Sequence, residues 1–217
     1  MDIAALDDLD LPGVFPARQE RSRAVVLALV EAGLALLRDR SFDDLSIADL
    51  CAQAGVTTGS FYARFESKEA FLRAVQQVVI REVMDDMAAR LSAERLVGLT
   101  LRDFLGRLVA NSVRWRQRYE GLIRASLRAA GTDEGAWSPL RELGRVQVDA
   151  VLPVILGLLG RQATSAAERG VRFAFQILFG TLNNMTLVNP GPFGIHDAAT
   201  PRLLAEAMAH LIETEAE

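Results

Sequence analysis

Apolar residues recur three or four positions apart over most of this chain, the spacing of one face of a helix. The first such series is Val25, Val26, Leu29, Val30, Leu34 and Leu37. It predicts a helix over Ser22–Arg40, with Ser22 as its cap and Arg38 and Arg40 at its negative end. After a break at Ser41–Leu45, Ser46 precedes Ile47, Leu50 and Cys51 with Asp49 three residues on, the pattern of a capping box. That second helix stops at Gly55, a residue suited to a left-handed cap. Val56 follows, Thr57 or Thr58 caps a third, short helix through Tyr62 and Ala63, and Ser67 caps a fourth. Phe71, Leu72, Val75, Val78, Val79, Val83 and Met87 carry the fourth helix to about Leu91. Further helices are predicted at Leu101–Trp115, Tyr119–Ala130, Pro139–Leu159, Ser165–Leu187 and Pro201–Thr214. Gly131-Thr132-Asp133 and Asn189-Pro190-Gly191-Pro192 read as loops. No stretch alternates as a half-buried strand does, so the chain is expected to be all-α with about nine helices.

Composition narrows the function classes. Half of the 217 residues are hydrophobic, enough for a substantial core. The longest apolar run, Val151 to Gly160, is about half of the roughly 20 residues a membrane span requires, so no membrane partner is expected. The single cysteine, Cys51, precludes an intrachain disulfide and reads as a small buried residue; a cytoplasmic location is the simplest reading. Met1–Pro16 carries Asp2, Asp7, Asp8 and Asp10 and shows no apolar period, and is read as a mobile acidic tail. The cluster Arg18, Arg21 and Arg23 follows it. Net charge is −4, but nucleic-acid binding responds to local charge rather than the average. Nothing resembles a nucleophile elbow, a zinc-protease helix or a phosphate-cradling loop, so no catalytic residue, metal or cofactor is expected. His196-Asp197 in a Pro/Gly loop reads as surface, not as half of a triad.

The informative stretch is Ile47–Phe65, IADLCAQAGVTTGSFYARF. Two short helices joined at Gly55 make a helix-turn-helix, whose second helix enters the DNA major groove. Leu50, Val56 and Phe61 supply its core. Thr57, Thr58, Gly59 and Ser60 are short, so the backbone can approach phosphates and base edges. Tyr62, Arg64 and Lys68 have the reach for phosphate oxygens, and the helix start at Ser67 offers a further phosphate site.

From about Ser22 to Val75 the sequence resembles the DNA-binding domain of TetR-type transcriptional regulators, above all in A-G-V-T-x-G-S-F-Y-x-x-F-x-S-K-E. The resemblance covers about a third of the chain. It implies a three-helix DNA-binding domain over residues 17–75 and a larger helical effector-binding and dimerisation domain over 76–217. It implies that Ser46 and Ile47 present a helix start to a phosphate, that Thr57, Thr58, Gly59 and Ser60 lie on the recognition helix, and that Tyr62, Arg64 and Lys68 contact DNA. With Thr58 and Gly59 poor in base-reading groups, Arg64 and DNA shape carry more of the selectivity.

The expected protein is a ligand-responsive regulator, by default a repressor. It binds a pseudo-palindromic double-stranded operator as a homodimer and is released by a small, largely apolar effector. Gly170, Ala174, Ile177 and Thr181 are the candidate dimer face. Phe104, Leu108, Trp115, Tyr119, Ile123, Trp137, Gln147, Phe175, Phe179 and Asn183 are the candidate pocket, an apolar set with few polar handles. The rival reading is a helical small-molecule-binding or adaptor protein without DNA affinity.

Overall fold

A computed structural model describes residues 11–131, 133–160 and 164–215. The aspartates Asp2, Asp7, Asp8 and Asp10 therefore lie outside the described residues. Among the described residues there are ten α-helices, one short 3-10 helix and no strand. No described helix is long and apolar enough to cross a membrane.

The chain forms two compact units. The first comprises, of the described chain, residues 11–86, 121–131 and 133–140. It holds α1 (Glu20–Leu36), α2 (Ile47–Ala54), α3 (Thr58–Tyr62) and most of α4 (Lys68–Arg90). It therefore runs beyond residue 75 and takes in α7 (Glu120–Ala129) from Gly121 onward and the 3-10 turn Glu134–Ala136. Leu29, Val30, Leu45, Leu50, Phe61, Phe65, Phe71 and Val75 are all 1% exposed or less and form its core. The ring centroids of Phe61, Phe65 and Phe71 lie 5.2–5.8 Å apart, an aromatic cluster that fixes α3 against α4. Gly33 sits where α1 meets that cluster: a Cβ there would come 2.6 Å from the Phe71 ring.

Two ties between separate segments of the chain hold this unit. Gln76 on α4, fully buried, donates through its amide to Ser126 Oγ (2.7 Å) and to the Ala136 carbonyl (2.8 Å). Residues 13–15, expected within a mobile tail, instead pair with the chain after α3. Phe15 N–H donates to the Arg64 carbonyl, Glu66 N–H donates to the Gly13 carbonyl, and Val14 and Phe65 form an antiparallel bridge. Backbone bonding of this kind leaves no apolar period to read. The helix that follows starts at Glu20, and its cap is Gln19, not Ser22.

The second unit comprises Met87–Glu120 and, of the described chain, residues 141–160 and 164–215. It contains α5 (Ala93–Leu96), α6 (Leu101–Arg118), α8 (Ser138–Leu158) from Arg141 onward, α9 (Ser165–Leu187) and α10 (Thr200–Glu215). Helix α10 packs on α6 and on α9. The core gathers Phe104, Leu105, Val109 and Val113 of α6, Val151 and Ile155 of α8, Val171, Phe175, Leu178 and Leu182 of α9, and Met208 and Ile212 of α10. A second capping box, Thr100 with Asp103, starts α6.

Candidate nucleic-acid interface

The helix-turn-helix is built by local chemistry. At its first helix the Ser46 hydroxyl accepts from Asp49 N–H (3.0 Å), and the Asp49 carboxylate accepts from Ser46 N–H (3.3 Å). The Ser46 hydroxyl also donates to the Asp49 carboxylate (2.8 Å), and this bond first, then that from Ser46 N–H, holds the Asp49 carboxyl below the usual range. Arg40 stands 3.5 Å from the same carboxylate. The start of α2 thus already carries a carboxylate beside Ser46 and Ile47, leaving a phosphate the remaining first-turn N–H groups.

Gly55 closes α2 at φ 67, ψ 30, a left-handed cap that glycine adopts without a Cβ clash. Gly55 and the next residue return bonds to the helix: Gly55 N–H donates to the Ala52 carbonyl and Val56 N–H to the Cys51 carbonyl. Thr57 then caps α3, its hydroxyl accepting from Ser60 N–H (3.1 Å) and lying 2.9 Å from the Ser60 hydroxyl. Both hydroxyls are committed to the cap, and Ser60 is half-buried. Phe61 is the anchor of α3, 0% exposed.

The outward surface of α3 is Thr57, Thr58, Gly59 and Tyr62, all exposed, with Tyr62 55% exposed. A Cβ on Gly59 would meet only Thr57 Oγ1 at 3.7 Å, so nothing inside the domain requires glycine there. A bare backbone on the open face of a short helix permits close approach to a phosphate or a groove.

Two of the expected DNA contacts have different work. Lys68 donates to the carbonyls of Phe42 (2.9 Å), Leu45 (3.0 Å) and Asp43 (3.3 Å) and lies 4.7 Å from the Phe42 ring centroid. Its ammonium has three hydrogens, and three carbonyls take them, so Lys68 staples the loop before α2 instead of reaching outward. Arg64 donates to Ser22 Oγ (2.6 Å) and to the carbonyls of Pro16 (3.2 Å) and Ala63 (3.1 Å). It ties α3 to the start of α1. Ser22, expected as a helix cap, is the acceptor of that tie. A long cationic side chain reads the same in sequence whether its acceptor is a phosphate or a carbonyl.

Ser67 caps α4 through Ala70 N–H (3.1 Å). Cys51 is 3% exposed, and burial pushes its thiol pKa up, away from the reactive thiolate. His196 Nε2 lies 2.8 Å from Glu120 Oε2, while the Asp197 carboxylate accepts from Gly194 N–H. His196 and Asp197 therefore do not form a catalytic pair.

The candidate pocket residues divide between the units. Ile123, 1% exposed, and Trp137 belong to the first. The other eight belong to the second. There Phe104 and Phe175 are core residues with Leu108 and Phe179 packed against them. Phe175 and Phe179 are 5.7 Å apart between centroids, as are Trp115 and Tyr119. Gln147 is half-buried. Asn183 meets a residue the sequence reading missed: Arg116, whose guanidinium donates to the Asn183 amide oxygen at 2.5 Å. The signal was available, since Arg116 falls on the same face as Leu105, Val109 and Val113.

The candidate dimer face is largely internal. Ala174 is 0% exposed and Gly170 is buried. A Cβ on Gly170 would stand 2.8 Å from Glu215 Cβ, so Gly170 admits the close approach of α10 within one chain. Thr181 is half-buried, and only Ile177 of the four is exposed, at 44%. The outward apolar stripe of α9 is Phe173, Ile177 and Leu187, continued by Val188.

Residues 29–75 match the family model described as "Bacterial regulatory proteins, tetR family". The chain is 33% identical over 75 residues to the Bacillus subtilis "Uncharacterized HTH-type transcriptional regulator YwcC", covering 32% of this chain and 34% of that protein. It is 32% identical over 124 residues to the Mycobacterium sp. "HTH-type transcriptional repressor DhaR", covering 55% of this chain and 56% of that protein. The matched part thus spans from a third to just over half of these relatives. A putative tetR-family regulator from Mesorhizobium loti shares the fold, with a TM-score of 0.66 at 14% identity over 91% of this chain and 97% of that one.

Proposed function

We propose that this chain, whose residues 29–75 match the model of the tetR family of bacterial regulatory proteins, is a transcriptional regulator of that family that binds an operator as a homodimer and releases it on binding a small effector. The observation that carries this reading is the exposed face of α3. Thr57, Thr58, Gly59 and Tyr62 project outward from a helix locked by the buried Phe61; nothing within the domain needs glycine at 59, and the Tyr62 ring, edge-on to Phe61 at 5.5 Å, stays 55% exposed. Phosphate contact falls to Tyr62 and the first-turn N–H groups of α2. Base contact falls to Thr58 and, through its methyl group alone, to Thr57, a set meagre enough that DNA shape contributes to selectivity. The exposed Arg18, ahead of α1, and Arg21, in its first turn, supply cationic charge.

One reader covers too few base pairs for specificity, so two copies are required, their recognition helices about 34–36 Å apart. The pairing surface is the outward stripe Phe173, Ile177 and Leu187, which is apolar and without a partner in the isolated chain. Repression is the mode that relatedness to a repressor from Mycobacterium sp. favours. Effector binding in the second unit biases α4, which continues from the reader's unit into the second at Met87. Such a coupling amounts to about 1–3 kcal/mol between the two sites.

Selection of bound fragments from random DNA by the full-length protein, followed by mobility shift, tests the reading. The expected result is a two-fold symmetric site with half-sites one helical turn apart. Recovery of no enriched sequence would leave the chain a ligand-binding helical protein instead.

A further inference from the structure

Several exposed arginines sit beside carboxylates: Arg102 with Glu213, Arg145 with Glu142 and Asp149, Arg172 with Asp149, Arg202 with Glu206. The buried one does not. Arg116 is 6% exposed, and its one bonded partner among the described residues is the neutral Asn183 amide. Burial pushes its pKa down to about 10, which leaves it charged at neutral pH. A buried cation without a counter-ion is among the costlier features a fold can carry.

The surroundings are donors as well. With the Asn183 oxygen turned to Arg116, the amide nitrogen has no bonded partner among the described residues. The local surplus is of N–H groups and positive charge, and what would relieve it is an acceptor with one negative charge.

We infer that Arg116 and Asn183 form the anion-binding end of the effector site, and that the effector is a monocarboxylic acid with an apolar body. This rests on the effector-responsive reading given above and alters it in one respect: the ligand is an amphiphilic acid, not a largely apolar molecule. A carboxylate matches the guanidinium fork in shape and in charge. A phosphate dianion would bring a second charge that no buried cation balances. Val113, one turn before Arg116, and Phe179, one turn before Asn183, are apolar, which suits the body of such an acid.

The test compares acids with their isosteric amides on the full-length protein: hexanoate, benzoate and phenylacetate against hexanamide, benzamide and phenylacetamide. Calorimetric titration and thermal shift at millimolar ligand are the readouts. At least one acid is expected to bind roughly tenfold to a hundredfold tighter than its amide. Asn183→Asp places a carboxylate of the protein beside Arg116. It is expected to raise the melting temperature of the ligand-free protein and to abolish the preference for acid. Arg116→Met is expected to lose the preference as well. Equal binding of acid and amide, no binding of any acid, or acid binding retained in Asn183→Asp would each overturn the inference. Binding of selected DNA fragments by the ligand-free protein is measured alongside. Fragments bound with no acid bound would sink the carboxylate inference alone; acid bound with no fragment selected would sink the regulator reading alone.

Discussion

Gly121, near the start of α7, makes the sharpest stability prediction. A Cβ built there would lie 1.8 Å from the Leu37 carbonyl oxygen, 2.4 Å from its carbon and 3.0 Å from Leu37 Cβ. Ordinary contact begins at about 3.4 Å, so Gly121→Ala demands a displacement of roughly 1.5 Å between α7 and the end of α1. The obstacle is backbone, which cannot rotate away, and Leu37 is only 2% exposed. Overpacking costs typically about 1–3 kcal/mol, and two rigid backbones put this case at the upper end, about 3 kcal/mol. Helix propensity argues the other way, since alanine is favoured over glycine by about 1 kcal/mol in a helix interior. The two effects differ in sign, so the measurement decides between them. Gly106→Ala in α6, where a Cβ meets nothing within 4 Å, is the control and is expected to stabilise by about 0.5–1 kcal/mol. Urea unfolding of both variants at one fixed protein concentration gives the comparison. If Gly121→Ala were as stable as the parent, the close approach of α7 to Leu37 would be refuted.

Other outcomes follow from the geometry. Tyr62→Phe and Gly59→Ala are expected to leave unfolding within about 0.5 kcal/mol of the parent yet weaken operator binding; for Tyr62→Phe, an unchanged salt slope and affinity in mobility shift would remove it from the interface. Arg64→Ala and Ser22→Ala are expected to show a coupling of about 1 kcal/mol in a double-mutant unfolding cycle; additivity would mean that the Arg64–Ser22 bond does not form. Phe173→Glu with Ile177→Asp is expected to turn a dimer into a folded monomer by sedimentation, and an intact dimer would exclude that stripe as the pairing surface. Asp103 is held below its ordinary pKa chiefly by the Thr100 hydroxyl. A depressed carboxyl stabilises the fold above the unfolded-state value near 3.8 and loses that contribution as pH falls through its folded value. Thr100→Ala should therefore flatten the acid limb of a stability–pH curve below about pH 4, and an unaltered limb would contradict the capping box.

Legibility from sequence divides along physical lines. The helices were readable because burial imposes a period, and Gly55, Ser46–Asp49 and Thr57 were readable because caps need particular residue types at fixed spacing. The exposed face of α3 followed from the burial of Phe61. The pairing of residues 13–15 with 64–66 was not legible, because backbone bonds have no side-chain signature. Arg64 and Lys68 illustrate a second limit: reach and charge are visible in a sequence, the acceptor is not. Gly170 illustrates a third. Small residues announce that something passes close by, and here the neighbour is α10 of the same chain. Arg116 was the one legible feature left unread, a charge set on an apolar stripe.

The bridge between Val14 and Phe65 bears on how the protein is best handled at the bench. An affinity tag fused ahead of Leu11, or a truncation stopping at Asp10, keeps the turn in which Val14 N–H donates to the Leu11 carbonyl and the anchoring of Pro12 by Arg73. A protease cut a few residues later would strip the strap from behind the reader, and an affinity measured on that product would describe a damaged domain.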